Sequence, residues 1–258
     1  MFNQLTILDA EQHAFLRFSA NQPYDFAREQ VLVPVVSSEI TRVAREMPVV
    51  FPVGSEVPQA LAGMPPGINA HVQSSGHWQG RYIPAHIRRY PFMLAPLPKQ
   101  QETDEQRYAM QFDAAARHFE SAEGQPLLDA QGRPTALLKK IQQVLITLMR
   151  DHAHTAQLVA ELEQHELLMK KDITLGKGDN AQTISGVRIV NESVLRSLEP
   201  QALAELRDSG ALALAYAHVL SLSNLDDGII TRLGAAAKAT PDIDELFGGD
   251  DFTFDFDG

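Results

Sequence analysis

The chain of 258 residues contains no cysteine, and this absence excludes several kinds of chemistry. Without cysteine there is no disulfide, no thiolate nucleophile and no cysteine-ligated zinc or iron–sulfur centre. A long apolar run is also missing, because the most apolar stretch, residues 211–222, is interrupted by His218. That stretch is well short of the roughly 20 residues that a spanning helix requires. We therefore expect no membrane insertion.

Basic residues are scarce as well. The sequence has 22 Lys and Arg against 33 Asp and Glu, which gives a formal net charge of -11. Such a chain repels nucleic-acid phosphates and anionic lipid surfaces. Residues 1–20 lack both the basic start and the uninterrupted apolar core of a secretory signal. These absences predict a cytoplasmic protein that binds no nucleic acid.

Most of the net negative charge lies in one segment, residues 241–258, which we call the acidic tail. It holds seven Asp or Glu residues and no Lys or Arg, which leaves a net charge of -4 for residues 1–240. This composition predicts a disordered segment. Four phenylalanines are interleaved with the acids: Phe247, Phe252, Phe254 and Phe256. Because aromatic anchors dominate binding energy and charge steers association, we interpret these rings as partner-docking residues.

Proline density divides the rest of the sequence. Eleven of the 15 prolines precede residue 100, a density that excludes long helices and favours short strands. The strand candidates in this Pro-rich part are residues 31–36, 49–53, 68–73 and 89–94. One short helix is predicted from Ser38 to Arg45, ending before Pro48.

Apolar residues recur every three or four positions between Pro134 and Leu168, which indicates helix. Asp151 could cap a second helix, so one long helix and a two-helix hairpin are both possible. A β-hairpin is predicted next, with strands 173–175 and 186–190 around a turn at 176–180. Four helices follow, at 192–198, 200–209, 211–223 and 225–239. We therefore predict a single α+β domain over residues 1–240, with a Pro-rich N-terminal part of short strands and a mostly helical C-terminal part.

Residues 76–92, which we call the Arg/aromatic segment, concentrate the only Trp, two of the five Tyr, two His and three Arg. Guanidinium groups bind carboxylate or phosphate through paired hydrogen bonds and stack on aromatic rings, so the segment predicts a ligand- or peptide-binding site. The candidate binding residues are His77, Trp78, Arg81, Tyr82, His86, Arg88, Arg89 and Tyr90. The alternative is structural: Arg88 and Arg89 pair with internal carboxylates while the aromatic rings join the core.

Two histidine patterns resemble metal sites, but neither has suitable geometry. His118-Phe119-Glu120 has the His-x-Glu form of iron sites, yet a partly helical setting would point the two side chains apart. His152 and His154 are two residues apart on a predicted helix and therefore face different directions. Residues 176–181 fit G-x-G-x-x-A, but the β-forming residues after them favour a hairpin turn over a dinucleotide loop. We predict no metal and no cofactor.

The run Tyr82-Ile83-Pro84-Ala85-His86-Ile87-Arg88-Arg89-Tyr90-Pro91-Phe92 resembles the signature of the bacterial SapC family. That family is named after a protein linked to surface layers, and it is distinct from the peptide-transporter permease of the same name. The resemblance covers roughly residues 30–235. It includes Val33-Pro34-Val35, Pro48–Pro52, Asn69, Gly76-His77-Trp78, Pro126–Pro134, and Ile189–Glu192 with Leu195. Many members have Asp where Asn191 stands here.

The resemblance implies a role rather than a reaction, because the family has no established catalytic residues. Members tend to be encoded near flavin-dependent halogenase-like and cupin-type oxygenase-like proteins. This implies a non-catalytic accessory protein, binding a substrate or partner within a peptide or protein modification system, so that the expected partner is a protein or peptide. Two alternatives stay open: a structural surface-layer component, which would require export, and a non-heme Fe(II) oxygenase. The oxygenase would use some of His71, His77, His86, His118 and Glu120.

Overall fold

The Pro-rich part forms short strands, as its sequence predicts, and the long helices come after residue 135. The computed structural model describes residues 1–64, 67–98, 106–175 and 181–233. The strands are β1 (Leu5–Ile7), β2 (Arg17–Phe18), β3 (Leu32–Pro34), β4 (Val49–Pro52), β5 (Gln59–Leu61), β6 (Phe92–Pro96), β7 (Tyr108–Asp113), β8 (Gln125–Pro126), β9 (Leu168–Lys170), β10 (Ile173–Leu175), β11 (Gln182–Ile184) and β12 (Val187–Val190). The helices are α1 (Ile40–Val43), α2 (Ala85–Arg88), α3 (Ala136–Gln164), α4 (Glu192–Arg196), α5 (Pro200–Ser209), α6 (Ala211–Ser221) and α7 (Asn224–Asp227). These elements confirm the α+β class.

Antiparallel pairing organises the strands into two principal sheets. The larger sheet has the order β3-β5-β4-β12-β9, and the smaller sheet has the order β1-β7-β6. Two further pairs are β10 with β11 and β2 with β8. In the larger sheet, Val33 and Val49 lie opposite Ala60 from its two sides, and all three are fully buried. Of the short apolar runs in the Pro-rich part, residues 49–53 therefore supply the central strand β4, and residues 31–36 supply the edge strand β3.

A single helix of 29 residues, α3, contributes to the cores of both sheets. In its first half, Leu138 and Leu145 belong to the cluster that contains Phe92 of the smaller sheet. In its second half, Leu158 and Leu162 belong to the cluster built on the larger sheet. The helix is thus packed at both ends against different layers.

Of the two possibilities left open by the sequence, the structure contains the single long helix. Thr135 caps its N-terminus, because the Thr135 hydroxyl oxygen accepts the N–H of Leu138. Asp151, the possible second cap, instead accepts a hydrogen bond from the Ser38 hydroxyl at 2.6 Å. Thr155 donates its hydroxyl to the backbone carbonyl of Asp151. Since the Asp151 carboxylate is directed to Ser38 and not to the helix backbone, the helix continues through this position.

The predicted hairpin has a different second strand. β10 pairs with β11, whereas β12, which was expected to be the partner of β10, lies between β4 and β9 in the larger sheet. Val187 and Val190 are both buried there. The prediction of the pairing is therefore wrong, because the apolar residues of β12 are covered by the larger sheet. The turn at 176–180 lies outside the described residues, as does the acidic tail.

Residues 68–73, predicted as a strand, instead form an irregular segment in which Asn69, His71 and Val72 are buried. Asn69 donates its side-chain amide to the carbonyls of Ala27 and Gln30, and its side-chain oxygen accepts the N–H of His71. The Asn69 side chain thus makes hydrogen bonds that a neighbouring strand would make in a sheet. The strand prediction is wrong. The strand predicted at 89–94 begins at Phe92, because α2 and its turn occupy the preceding residues.

The helices predicted after β12 are present, several with shorter ends. α5 begins with Pro200 and ends at Gly210, whose φ of +97° is a left-handed conformation that glycine favours. The helix predicted at 225–239 is divided into α7 and a 3₁₀ turn, Ile229–Leu233, and the residues beyond it lie outside the described ranges. Among the helices of the described ranges, none combines the length and the apolar character that crossing a bilayer requires.

Asn191 begins α4, and its side-chain oxygen accepts the N–H groups of Ser193 and Val194. Asn and Asp are both strong N-cap residues, so an Asp at this position would make the same hydrogen bonds. We expect Asn191→Ala to lower the free energy of unfolding by about 1 kcal/mol and Asn191→Asp to leave it nearly unchanged. Urea denaturation of both variants measures this, and equal losses would contradict the capping role.

Candidate functional site

A buried carboxylate, Glu39, holds the middle of the Arg/aromatic segment. Glu39 is only 4% exposed and lies just before α1. Its Oε2 accepts the Tyr82 hydroxyl at 2.7 Å and the Ala85 N–H at 2.8 Å, and the Arg88 guanidinium lies 3.9 Å away. Burial, followed by the hydrogen bond to Glu39, raises the pKa of Tyr82, so this hydroxyl remains a donor. Because a buried charge is tolerated only when it is paired and hydrogen-bonded, these donors fix the path of residues 82–88.

A second buried carboxylate, Asp113, holds the far end of the same segment. Its oxygens accept the N–H groups of Asn3 and Gln4 at 2.8 Å and the Tyr90 hydroxyl at 3.0 Å. Burial by itself raises the pKa of Asp113, but the bonds from Asn3 and Gln4 outweigh it, and the pKa is lowered. Burial, together with Asp113, also raises the pKa of Tyr90. The segment is therefore anchored by one carboxylate at Tyr82 and by another at Tyr90.

The anchored segment and the first half of α3 enclose a cleft of about 680 Å³. This volume is within the range of sites for small molecules and peptide side chains. The apolar side chains of α3 that line it are Leu137, Ile141, Val144, Leu145 and Leu148. The apolar side chains that face them are Phe18, Tyr24, Phe26, Ile87, Tyr90 and Phe92. The walls of the cleft are thus mainly aliphatic on one side and mainly aromatic on the other.

Cationic side chains outnumber acidic ones around the cleft. Its cations are Arg42, Arg88, Arg89 and Lys140, and its acids are Glu39 and Asp151. Both acids already accept hydrogen bonds from neighbouring groups. The cleft therefore carries a local positive excess in a body whose own net charge is negative, and it favours an anionic group.

Aromatic rings pack closely at the base of the cleft. His118 is 5% exposed, and its ring stacks on Phe18 with centroids 5.7 Å apart. Phe26 stacks on Tyr90 at 4.0 Å, and both rings contact His118 edge-on. Burial lowers the pKa of His118 to about 4, so the ring is neutral near pH 7. The base is consequently apolar and uncharged, while the charges lie on the groups around it.

A family profile described as SapC matches residues 8–227, which is most of the chain. The chain belongs to the SapC family. No curated protein and no solved structure shows significant similarity to it. Every residue that lines the cleft falls within the range that matches the SapC profile.

Four of the eight predicted binding residues line the cleft of this SapC-family chain: Tyr82, Arg88, Arg89 and Tyr90. Arg88 also donates to the Ile83 carbonyl and to the Tyr82 hydroxyl. The Nε of Arg89 is buried and has no hydrogen-bond partner among the described residues. The guanidinium of Arg89 lies 5.1 Å from the ring centroid of Phe2. The structure therefore places these arginines both at the cleft and in internal contacts.

The other four predicted binding residues lie elsewhere. His77 is exposed, and Trp78 packs on the core of the larger sheet, where it donates to the Tyr82 carbonyl. His86 is half-buried, and burial, followed by the positive charges of Arg89 and His152, lowers its pKa to about 3.

Arg81 is exposed and belongs to a second, smaller pocket of about 470 Å³. This pocket, which we call the Arg pocket, is lined by Arg42, Arg45, Glu46, Gly80, Arg81, Tyr82 and Ile229. Both Glu46 oxygens accept the Arg81 N–H. The Arg pocket shares Arg42 and Tyr82 with the cleft, so the two are neighbours.

The residues of the oxygenase hypothesis do not form one group. Within the described residues there is no set of three or more His, Asp or Glu side chains that could hold a metal ion. His118 is buried while Glu120 is exposed, so the two side chains of the His-x-Glu pattern have different surroundings. The Nδ1 of His71 lies 2.8 Å from the carbonyl oxygen of Gln79, and burial lowers the pKa of His71.

Reasoning from sequence missed the wall of the cleft that α3 supplies. The apolar periodicity between Pro134 and Leu168 includes Ile141, Leu145 and Leu148, but an apolar helix face predicts core packing. A weak signal was available, because Lys140 places a charge beside the apolar positions Ile141 and Val144. Glu39 gave no signal, since an isolated acidic residue in a sequence is usually exposed.

Tyr82→Phe removes the hydroxyl that Glu39 accepts and keeps the ring. We expect the free energy of unfolding to fall by about 1.5–3 kcal/mol, because a buried carboxylate loses a donor. Tyr108→Phe, at a position that is 40% exposed, is the control, and urea denaturation measures both. Equal effects of the two changes would argue against Glu39 as an anchor.

The burial of His118 predicts that the folded protein loses stability in acid. His118 titrates near pH 4 in the folded protein and near 6.5 in an unfolded chain, so the unfolded state binds the proton more readily between these values. The contribution of neutral His118 to stability is therefore complete above about pH 6.5. It is lost as the pH falls towards 4, by up to about 1.4 kcal/mol per pH unit.

We expect His118→Gln to flatten the pH dependence of the free energy of unfolding between pH 6.5 and 4, because Gln does not titrate. The slope is the relevant quantity, since loss of ring packing lowers stability at every pH. His154→Gln, at an exposed position of α3, should leave the slope unchanged. Urea denaturation at several pH values measures this slope. The same slope in the wild type, His118→Gln and His154→Gln would contradict the expectation.

Proposed function

We propose that this SapC-family chain is a non-catalytic binding protein whose cleft holds an apolar, acid-bearing segment of a peptide or protein partner. The observation that supports this proposal is the combination of an aromatic base with four cationic side chains around it. Aromatic and aliphatic pockets supply most of the affinity of peptide sites, and a few charged groups fix orientation and specificity.

The α3 wall offers apolar surface to such a partner. Val144 is 50% exposed, and Leu137, Ile141 and Leu148 are only half-buried, although all four lie on one helix face. Covering apolar surface contributes roughly 25 cal/mol for each Å² removed from water. This face is therefore suited to bind apolar side chains of a partner.

The arginines supply the charge preference. Arg88 and Arg89 follow one another at the end of α2, and Lys140 lies on α3. The guanidinium of Arg89 is partly buried, which lowers its pKa through loss of hydration. An incoming carboxylate compensates a desolvated guanidinium through paired hydrogen bonds, whereas a neutral ligand does not.

The two carboxylates of the cleft already have hydrogen-bond partners, which supports binding over catalysis. Glu39 accepts from Tyr82 and Ala85, and Asp151 accepts from Ser38. His118 is enclosed by aromatic rings. The resemblance described for the sequence supports an accessory role in a peptide or protein modification system, beside an oxygenase or a flavin-dependent halogenase-like enzyme. A cytoplasmic location is part of the same proposal.

Selection of a random-peptide phage library on the immobilised full-length protein tests this function. We expect enriched peptides to combine aromatic with acidic residues, and Lys140→Glu to weaken their binding roughly tenfold through charge repulsion. Lys139→Glu is the matched control, because Lys139 is the neighbouring residue on α3 and does not line the cleft. The proposal fails if no peptide is enriched, or if the two variants bind the enriched peptides equally.

A further inference from the structure

We propose that the cleft binds the acidic tail of its own chain, so that residues 247–256 occupy the site and compete with the external partner. This inference rests on the proposed function. It specifies which peptide the cleft accepts, namely an extended segment that carries both Phe and acidic residues. Three features support the tail as this segment, namely its charge, its spacing of aromatic residues and the position from which it departs.

Charge complementarity is the first feature. The acidic tail has seven acids and no cation, whereas Arg42, Arg88, Arg89 and Lys140 line the cleft. Since residues 1–240 have a net charge of -4, most of the body repels the tail and the cleft attracts it. The cleft is therefore a place where the tail gains electrostatic energy on contact with its own domain.

The spacing of the aromatic residues is the second feature. Phe252, Phe254 and Phe256 alternate with Thr253 and Asp255. In an extended peptide, side chains two residues apart lie on the same face, so the three rings project together and Asp255 projects opposite them. Such a strip presents rings to the aromatic base and acids to the surrounding cations. Offset and edge-on ring pairs add to the energy gained from burial.

The point of departure of the tail is the third feature. The last described element, Ile229–Leu233, follows α7, and Ile229 lines the Arg pocket. About 14 residues separate Leu233 from Phe247. An extended chain spans at most about 3.3–3.6 Å per residue, so these residues can bridge roughly 45 Å. The distance needed is short, because the Arg pocket and the cleft share Arg42 and Tyr82.

The Arg pocket also matches the beginning of the tail. Arg45 and Arg81 line it together with Arg42, and all three are exposed. Asp242, Asp244 and Glu245 are the first acids of the tail and precede Phe247. A path from Ile229 across the Arg pocket therefore pairs these acids with arginines before the phenylalanines reach the cleft.

Site-specific photocrosslinking in the full-length protein tests the inference. Phe254 is replaced by p-benzoylphenylalanine, the protein is irradiated, and the crosslinked peptides are mapped by mass spectrometry. We expect crosslinks to residues 137–148 of α3 within one chain, in a yield that does not depend on protein concentration. A salt concentration of 1 M should reduce the yield, since it screens the ion pairs.

Two controls define the result. The same photoreactive residue at Tyr216, an exposed position of α6, should give no crosslink to residues 137–148. Lys140→Glu should lower the yield from position 254, and Lys139→Glu should not. Crosslinks between two chains, crosslinks only to other surfaces, or no crosslinks at all would overturn the inference. The first of these outcomes would assign the tail to a second copy of the chain.

A competition measurement separates this inference from the proposed function. The probe is a fluorescein-labelled synthetic peptide of residues 241–258, and its binding to the full-length protein is followed by anisotropy. The variant carries three changes, Phe252→Ser, Phe254→Ser and Phe256→Ser, which weaken the internal competitor. We expect the probe to bind this variant roughly five- to tenfold more tightly than it binds the wild type. Equal affinities would contradict the inference, whereas Lys140-dependent binding of library peptides would still support the proposed function.

Discussion

The arrangement around the cleft depends on the burial of two carboxylates. A carboxylate removed from water is tolerated only where several donors converge on it, so Glu39 and Asp113 each determine where neighbouring chain segments lie. Glu39 collects donors from Tyr82 and Ala85, and Asp113 collects donors from Tyr90 and from the N-terminal residues. The Arg/aromatic segment between these anchors has little freedom. Arg88 and Arg89 are consequently placed at the cleft, where Arg88 donates to the Ile83 carbonyl and Arg89 lies over the ring of Phe2.

The cleft itself is a consequence of the length of α3. The first half of α3 packs on one sheet and its second half packs on the other, and part of its apolar face between them is left uncovered. The uncovered part lies opposite the Arg/aromatic segment, where Val144 remains half exposed. A conventional amphipathic helix would bury such a residue, and its exposure here supports a surface that is completed by a binding partner.

The charge of the chain differs from one region to another. The formal net charge of -11 combines a strongly acidic C-terminal segment, a mildly acidic body and a locally basic cleft. Association between oppositely charged surfaces is fast and sensitive to salt, so such a distribution favours contacts that form and dissociate readily. The cleft of an acidic protein can in this way attract an anionic group, because the local field acts at short range and the overall charge does not.

Local sequence was sufficient to predict the α+β class and the helix boundaries near Thr135, Pro200 and Gly210, since proline, caps and helical periodicity act through local sterics and hydrogen bonds. Strand pairing and the composition of the site depend instead on long-range contacts. β12 could join either a hairpin or the larger sheet, and burial of its valines chose the sheet. Half of the predicted binding residues, including Trp78, lie away from the cleft, and Glu39 joins it from a distant part of the chain. Convergence of residues separated in sequence depends on long-range packing and hydrogen bonding, which no local pattern encodes.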